Sequence, residues 1–277
     1  MISTNKPQQQ KLYFGFPVKL NQEAKNYFQH ALNYLQNQKN TNEIFWSRFE
    51  EKPSFQEAKV LEVGCGLGSL SLDIAKAGAS KVIGLDLNTR DIEFAQTNLV
   101  QNYTQLQDKI KFIAINLRDY PEENFDFIVS KDSFEHILDL EVLLQEITKR
   151  LKPGGKLYAG FGPLWHSPFG FHGNLHGWNF SNKYPWGHLL VSQAKVVESW
   201  NNSIDRKINS FADLGMNKLS IVQYRRLFAN CGLKIESFQV NRSDSFKSKI
   251  FFLLHWLPFF GKYFCHNIYC ILKKENN

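Results

Sequence analysis

From Ala58 onward, short apolar runs alternate with amphipathic stretches, the pattern of an α/β chain. Val60–Val63, Lys81–Leu85, Lys109–Ile115, Phe125–Ser130 and Lys156–Phe161 read as five strands in order, and Leu233–Val240 and Asn267–Leu272 as a sixth and seventh. Leu151–Gly155, LKPGG, carries turn-forming residues and breaks the chain before the fifth strand. Ahead of the strands, Ala24, Tyr27, Phe28, Ala31, Leu32 and Leu35 recur at three- and four-residue steps within 21–49. That spacing predicts an amphipathic helix. Val191–Asn201 and Ile221–Asn230 read as helices, the latter stopped by Gly232, and Phe134-Glu135-His136 as the start of a helix after the fourth strand.

Two segments follow neither period. Gly162–Leu190 holds four histidines, three tryptophans, three prolines and five glycines, a loop composition. Ile250–Phe264, IFFLLHWLPFFGKYF, is apolar but interrupted by His255, Pro258 and Lys262, too short and broken to span a bilayer. It is a helix packed over the sheet or in a dimer contact, or else a segment lying on an anionic membrane through 247–264. Seven Lys/Arg against three acids in 234–277 make the second reading worth testing.

Length sets the scale: 277 residues suffice for one α/β domain with additions. We therefore expect a helical extension or cap over 1–55 and a main domain over 56–277 that includes an acceptor-loop insertion, 162–230. Cys65, Cys231, Cys265 and Cys270 form no C-x-x-C pair, and no cationic segment leads into an apolar run at the N-terminus. Reduced thiols and a cytoplasmic location, with or without a membrane-peripheral contact, are the expectation. The net charge of +7 is spread thinly and speaks to steering more than to function.

Chemistry concentrates at Val60–Leu72, VLEVGCGLGSLSL, where Gly64, Gly66 and Gly68 lie between a strand and a helix. Such a turn lets a nucleotide-like ligand approach the backbone. Eighteen residues past Gly68, Asp86 ends the second strand, where a carboxylate can accept both hydroxyl protons of a ribose. Dinucleotide loops need glycine at the sixth position, which here is Ser69, and Glu62 would repel a pyrophosphate while suiting an ammonium-bearing ligand.

These residues resemble the first motif, E-x-G-x-G-x-G, of the class I S-adenosylmethionine-dependent methyltransferases, and further matches run in order over Ala58–Phe161. The resemblance implies a Rossmann-like seven-stranded mixed sheet with an N-terminal helical cap and an insertion after strand 5. It implies S-adenosylmethionine as cofactor, held by Glu62, Gly64, Cys65, Gly66, Gly68, Asp86, Leu87, Asn116, Leu117 and Ser130. No chemistry is assigned to the Cys65 thiol. Asn116 stands where the family usually has an aspartate facing the adenine amino group; its amide oxygen can still accept that hydrogen bond. The cap helix covers the cofactor pocket in such relatives, or simply packs on the sheet edge.

Catalytic candidates follow from position. Asp132 lies at the carboxyl end of the fourth strand, where open α/β sheets place their chemistry, though it could instead cap the helix nearby. His136 could equally staple its helix to the sheet. His166 follows the fifth strand most closely, and an imidazole can take an acceptor's proton near neutral pH. Trp165, His172, His176 and Trp178 would line the acceptor, flat rings stacking on sugar faces or other rings. Three histidines, His166, His172 and His176, invite a metal, but no regular element fixes their directions and no cysteine or ordered carboxylate joins them, so none is expected.

The expected activity is O-methylation of a small-molecule, glycan-like or secondary-metabolite acceptor. An RNA methyltransferase and a non-catalytic S-adenosylmethionine-binding regulatory or assembly protein are the alternatives. Ser130-Lys131-Asp132-Ser133 stands where base-amine methylases carry [ND]-P-P-[YFW], which argues against nucleic acid as the partner.

Overall fold

The computed structural model describes residues 22–171, 184–203, 207–242 and 246–276. Its seven strands form one mixed sheet in the order β3-β2-β1-β4-β5-β7-β6. The chain divides into two compact units, Met1–Pro121 and Glu122–Asn277.

The first unit holds β1 (Lys59–Val63), β2 (Lys81–Asp86) and β3 (Ile110–Ala114). β1 and β2 pair in parallel with Lys59 opposite Lys81, and β2 and β3 with Val82 opposite Ile110. Val60, Leu61, Val82 and Ile83 are fully buried, which is why these strands read as continuous apolar runs rather than alternating ones. Helix α2 (Ser69–Lys76) leaves the loop after β1, and α3 (Thr89–Asn102) follows β2. Asn88 caps α3, its side-chain oxygen accepting from the Arg90 and Asp91 backbone N–H groups.

Helix α1 (Gln22–Ser47) is the predicted amphipathic helix. Its Asn42 amide donates to Asp73 Oδ2 at 2.7 Å and Ser69 Oγ at 3.0 Å on α2, and the Tyr27 hydroxyl donates to Asp91 on α3. Phe45, Trp46, Phe49 and Phe55 pack edge-to-face or tilted at its end, centroids 4.7 to 5.9 Å apart. Leu32 and Leu35 line a cavity of about 430 Å³ with Leu72, Asn98 and Tyr103.

The second unit holds β4 (Phe125–Lys131), β5 (Leu151–Phe161), β6 (Lys234–Val240) and β7 (Ile268–Lys273). β4 and β5 are parallel; β7 runs antiparallel to both β5 and β6. The LKPGG sequence does not end before the fifth strand but belongs to it. Leu151 pairs with Phe125 and Lys156 with Phe127, so residues between them bulge out of the ladder. Gly154 N–H donates to Lys274 O and Lys274 N–H to Gly155 O, which hold the bulge against the neighbouring chain.

Phe134–His136 is a single 3₁₀ turn, not a helix start; α4 begins at Leu140 and runs to Arg150. A remote amide accounts for the difference. Asn217 Nδ2 donates to Phe134 O and Ile137 O, and Asn217 N to Glu135 O, taking carbonyls that a helix would use itself. Helices α5 (Gln193–Ser203), α6 (Ile221–Asn230) and α7 (Phe246–Leu254) complete the described α-helices. A reciprocal Ser220/Gln223 capping box starts α6, and Gly232 at φ 85° follows its end.

The core of this unit is aromatic. Phe161 meets Tyr224 at 4.9 Å, Phe134 at 5.4 Å and Phe228 at 6.5 Å between centroids. Phe228 is fully buried and also touches Phe238. Phe228→Ala should therefore cost about 3 to 5 kcal/mol, read as a lowered urea midpoint at unchanged slope. A loss below about 1 kcal/mol would show that the cluster closes over the gap or carries little of the stability.

Candidate functional site

In the first unit the site is built by the turn between β1 and α2. Gly64 N–H and Cys65 N–H both donate to Leu85 O, at 2.8 and 3.0 Å, and fasten the loop to the tip of β2. Gly66 N–H donates to Asp86 Oδ2 at 2.8 Å, while Asn88 N–H donates to Asp86 Oδ1 at 2.9 Å. One carboxylate thus orients two turns. Two of its roughly four acceptor positions remain.

The glycines have separate reasons. At Gly68, φ is 81°, and a Cβ would stand 2.5 Å from the Phe112 ring, so helix and strand approach too closely for a side chain. At Gly66, φ is 48° and a Cβ would meet nothing within 4 Å among the described residues. The backbone there borders open space, a cradle that a ligand rather than protein would fill.

Glu62 is 2% exposed, and its Oε2 accepts from Ser71 Oγ at 2.5 Å, linking β1 to α2 beneath the loop. The Cys65 thiol is pushed well up by burial and then by the Glu62 and Asp86 carboxylates, which keeps it protonated. Leu87, immediately after Asp86, is 70% exposed, an apolar side chain with no core to fill. Leu117 is buried, and Asn116 is exposed with its Oδ1 accepting from Arg118 N–H at 2.9 Å. That leaves Asn116 one lone pair and its amide hydrogens for a further partner.

In the second unit, Ser130 is buried at the end of β4. Asp132 is exposed in a left-handed conformation, φ 50°, with its N–H on Gly160 O at 2.9 Å. The 3₁₀ turn that follows has Ser133 at its N-cap position. His136 Nδ1–H donates to Gly215 O at 3.2 Å, which puts the proton on Nδ1 and the lone pair on Nε2. Burial lowers its pKa.

His166 is half-buried with its ring 6.1 Å from that of Tyr263. Its buried Nδ1 has no partner among the described residues. Burial, the Lys262 ammonium and His188 together push its pKa down to about 4. The imidazole is therefore neutral at neutral pH. Trp165, beside it, packs among Phe171, Phe211 and His188, with Lys218 Nζ 4.9 Å from its ring centre. His172, His176 and Trp178 lie outside the described residues.

Sequence reasoning overlooked Glu135 and His188. Glu135 is 4% exposed; Oε1 accepts from Gly162 N–H at 3.0 Å, and Oε2 has no partner among the described residues. Burial, and after it the Asp132 charge, raises its pKa to about 8. His188 Nε2–H donates to Trp165 O at 2.6 Å, and its buried Nδ1 has no partner there. Only folding reveals either, because both are buried by residues distant in sequence.

A family described as a methyltransferase domain matches residues 61–159. Human mitochondrial ubiquinone biosynthesis O-methyltransferase is 38% identical over 104 residues, 36% of this chain and 27% of the relative. Arabidopsis thaliana phosphoethanolamine N-methyltransferase 3 is 36% identical over 101 residues, 36% and 20% of the two chains. The chain spans about a quarter of the length of these curated relatives. Geranyl diphosphate C-methyltransferase from Streptomyces coelicolor A3(2), solved with S-adenosyl-L-homocysteine, shares the fold at a TM-score of 0.55 and 15% identity. That match covers 93% of this chain and 86% of the other.

The buried carboxyl makes a stability prediction. Glu135 has a pKa of about 8 in the folded chain against the usual 4.5, so between those values the folded state holds a proton that the unfolded state has lost. Stability falls as pH rises through that window. Glu135→Gln keeps an acceptor for Gly162 N–H and cannot ionise. Denaturation at pH 5 and pH 8 should show wild type losing stability relative to the variant as pH rises, by up to about 1.4 kcal/mol per pH unit. Parallel pH profiles would mean that Glu135 is ionised in the fold.

Proposed function

We propose that the chain is a class I S-adenosylmethionine-dependent methyltransferase, residues 61–159 of which match a methyltransferase-domain family, and that it transfers a methyl group to an oxygen of a small-molecule acceptor. The observation that carries the reading is the Asp86 latch: Gly66 and Asn88 N–H hold the carboxylate, spare acceptor positions remain, and the Gly66 backbone borders open space. A ribose diol suits those positions. Leu87 offers an exposed apolar surface to a flat base, and the free lone pair or amide hydrogens of Asn116 its edge.

S-adenosylmethionine, when bound, supplies a methyl group on a sulfonium sulfur open to in-line displacement. The protein's share is positioning and proton handling. Glu62 and Asp86 make the loop's surroundings anionic, and no Lys or Arg occurs from 60 to 75, which favours a cationic ligand over a pyrophosphate. Gly64, Gly66 and Gly68 keep that backbone approachable, and Leu117 is a buried position assigned to the same site.

At the acceptor end, His166 is our candidate base. Its low pKa keeps the ring unprotonated, and its buried Nδ1 has no hydrogen-bond partner among the described residues, so the imidazole has an unused acceptor. Asp132 and the Nε2 atom of His136 are the next candidates. The relatives named above act, by their names, on ubiquinone precursors and phosphoethanolamine, which supports a small acceptor over RNA. A sugar-like acceptor is the finer form of the proposal. The rings of Trp165, Phe171 and Phe211 pack on one another, which engages Trp165 in the core of this unit.

Transfer decides it. With methyl-labelled S-adenosylmethionine, label should enter solvent-extractable small molecules of a metabolite extract under single-turnover conditions, and not purified RNA. Label in RNA, or none in either pool, would overturn the proposal. His166→Gln should slow transfer at least about tenfold while leaving cofactor affinity near wild type. A near-normal rate would move the base to Asp132 or His136.

A further inference from the structure

The segment after α7 exposes large apolar side chains on an ordered turn. Leu253 is 72% exposed, Trp256 71%, Phe259 92% and Phe260 62%, with Phe252 and Leu257 also open. The backbone here is well bonded: Leu257 N–H donates to Leu254 O, Gly261 N–H to Leu257 O and Tyr263 N–H to Phe260 O. A Cβ on Gly261 would stand 2.0 Å from His255 O, so the turn closes as tightly as a backbone can. Phe259 is held at φ 62°, an unusual conformation for a bulky residue. On its inner side the segment is anchored by Trp186, whose ring faces Phe251 and Phe264 and whose Nε1–H donates to Tyr263 O at 3.1 Å.

We propose that this turn docks the protein onto an anionic lipid surface. Contiguous exposed apolar patches mark interaction sites, and the charges around this one select the partner. Residues 246–264 contain Lys247, Lys249 and Lys262 and no acid. Exposed Arg225 and Arg226 lie on α6, and Arg225 is near enough to His255 to lower its pKa. A second copy meeting this face across a twofold axis would bring the same cations against themselves. An anionic bilayer attracts them instead, while Trp256, Phe259 and Phe260 enter the region between headgroups and acyl chains. Among the described residues no helix is long and apolar enough to cross a membrane, so the contact is a shallow one.

Sedimentation of the full chain with phosphatidylcholine vesicles, with and without phosphatidylserine, tests this. At low ionic strength the protein should pellet with the anionic vesicles, bind pure phosphatidylcholine at least about tenfold more weakly, and release with added salt. Joint Trp256→Ser, Phe259→Ser and Phe260→Ser substitution should reduce anionic binding at least about tenfold at an unchanged circular dichroism spectrum. Lys249→Glu with Lys262→Glu should erase the preference for phosphatidylserine. Absence of co-sedimentation at low ionic strength would overturn the proposal, as would undiminished binding by the triple variant. So would a dimer in sedimentation velocity that the triple variant abolishes, without vesicle binding.

Discussion

The Asp86 carboxylate, shared between the backbone N–H groups of Gly66 and Asn88, is the interaction on which the candidate site depends. Hydrogen bonds to a charged acceptor are each worth about 1.5 to 3 kcal/mol. These two tie the turn after β1 to the turn after β2, which the parallel register of the strands already brings side by side. The consequences spread outward. With the loop fixed, Gly68 opens α2 against Phe112 at a distance no side chain tolerates, and Ser71 on that helix reaches the buried Glu62. The loop is preorganised by the fold, and its conformation is not left for a ligand to impose.

The second unit handles polar groups differently. Glu135 is buried with one oxygen on Gly162 N–H and burial keeping it protonated, while His166 is neutral because burial and the Lys262 ammonium disfavour its charged form. An acid shifted up and an imidazole shifted down are the means by which one fold holds proton donors and acceptors ready at a single pH. Asn217 organises the same region, bonding three carbonyls of the 134–137 turn and accepting from the Tyr224 hydroxyl at 2.9 Å.

What could be read from the chain alone tracks how local each cause is. Strands buried on both faces advertise themselves as apolar runs, and the Gly-rich turn and Asp86 follow at short range, so the sheet and the turn between β1 and α2 are legible in the sequence. LKPGG misled because proline and glycine signal a break, whereas Lys274, more than a hundred residues on, holds the bulge within β5. The Phe134–His136 turn misled for the same reason, its carbonyls claimed by Asn217. The Lys262 ammonium that helps depress His166 is likewise distant in sequence, so an ordinary histidine pKa was the natural expectation and about 4 is the outcome. Ile250–Phe264 has the composition of a core segment, yet Trp256 and Phe259 are among its most exposed side chains. Hydrophobicity indicates what would benefit from burial, not what is buried.

The central claim, that Asp86 and the open backbone at Gly66 bind the nucleoside of S-adenosylmethionine, is tested most directly by calorimetry on wild type and Asp86→Ala. Two hydrogen bonds to an ionised acceptor would be lost together, so the folded variant should bind S-adenosylmethionine at least about tenfold more weakly, a step of about 1.4 kcal/mol. Unchanged affinity in a variant with the wild-type circular dichroism spectrum would contradict the account.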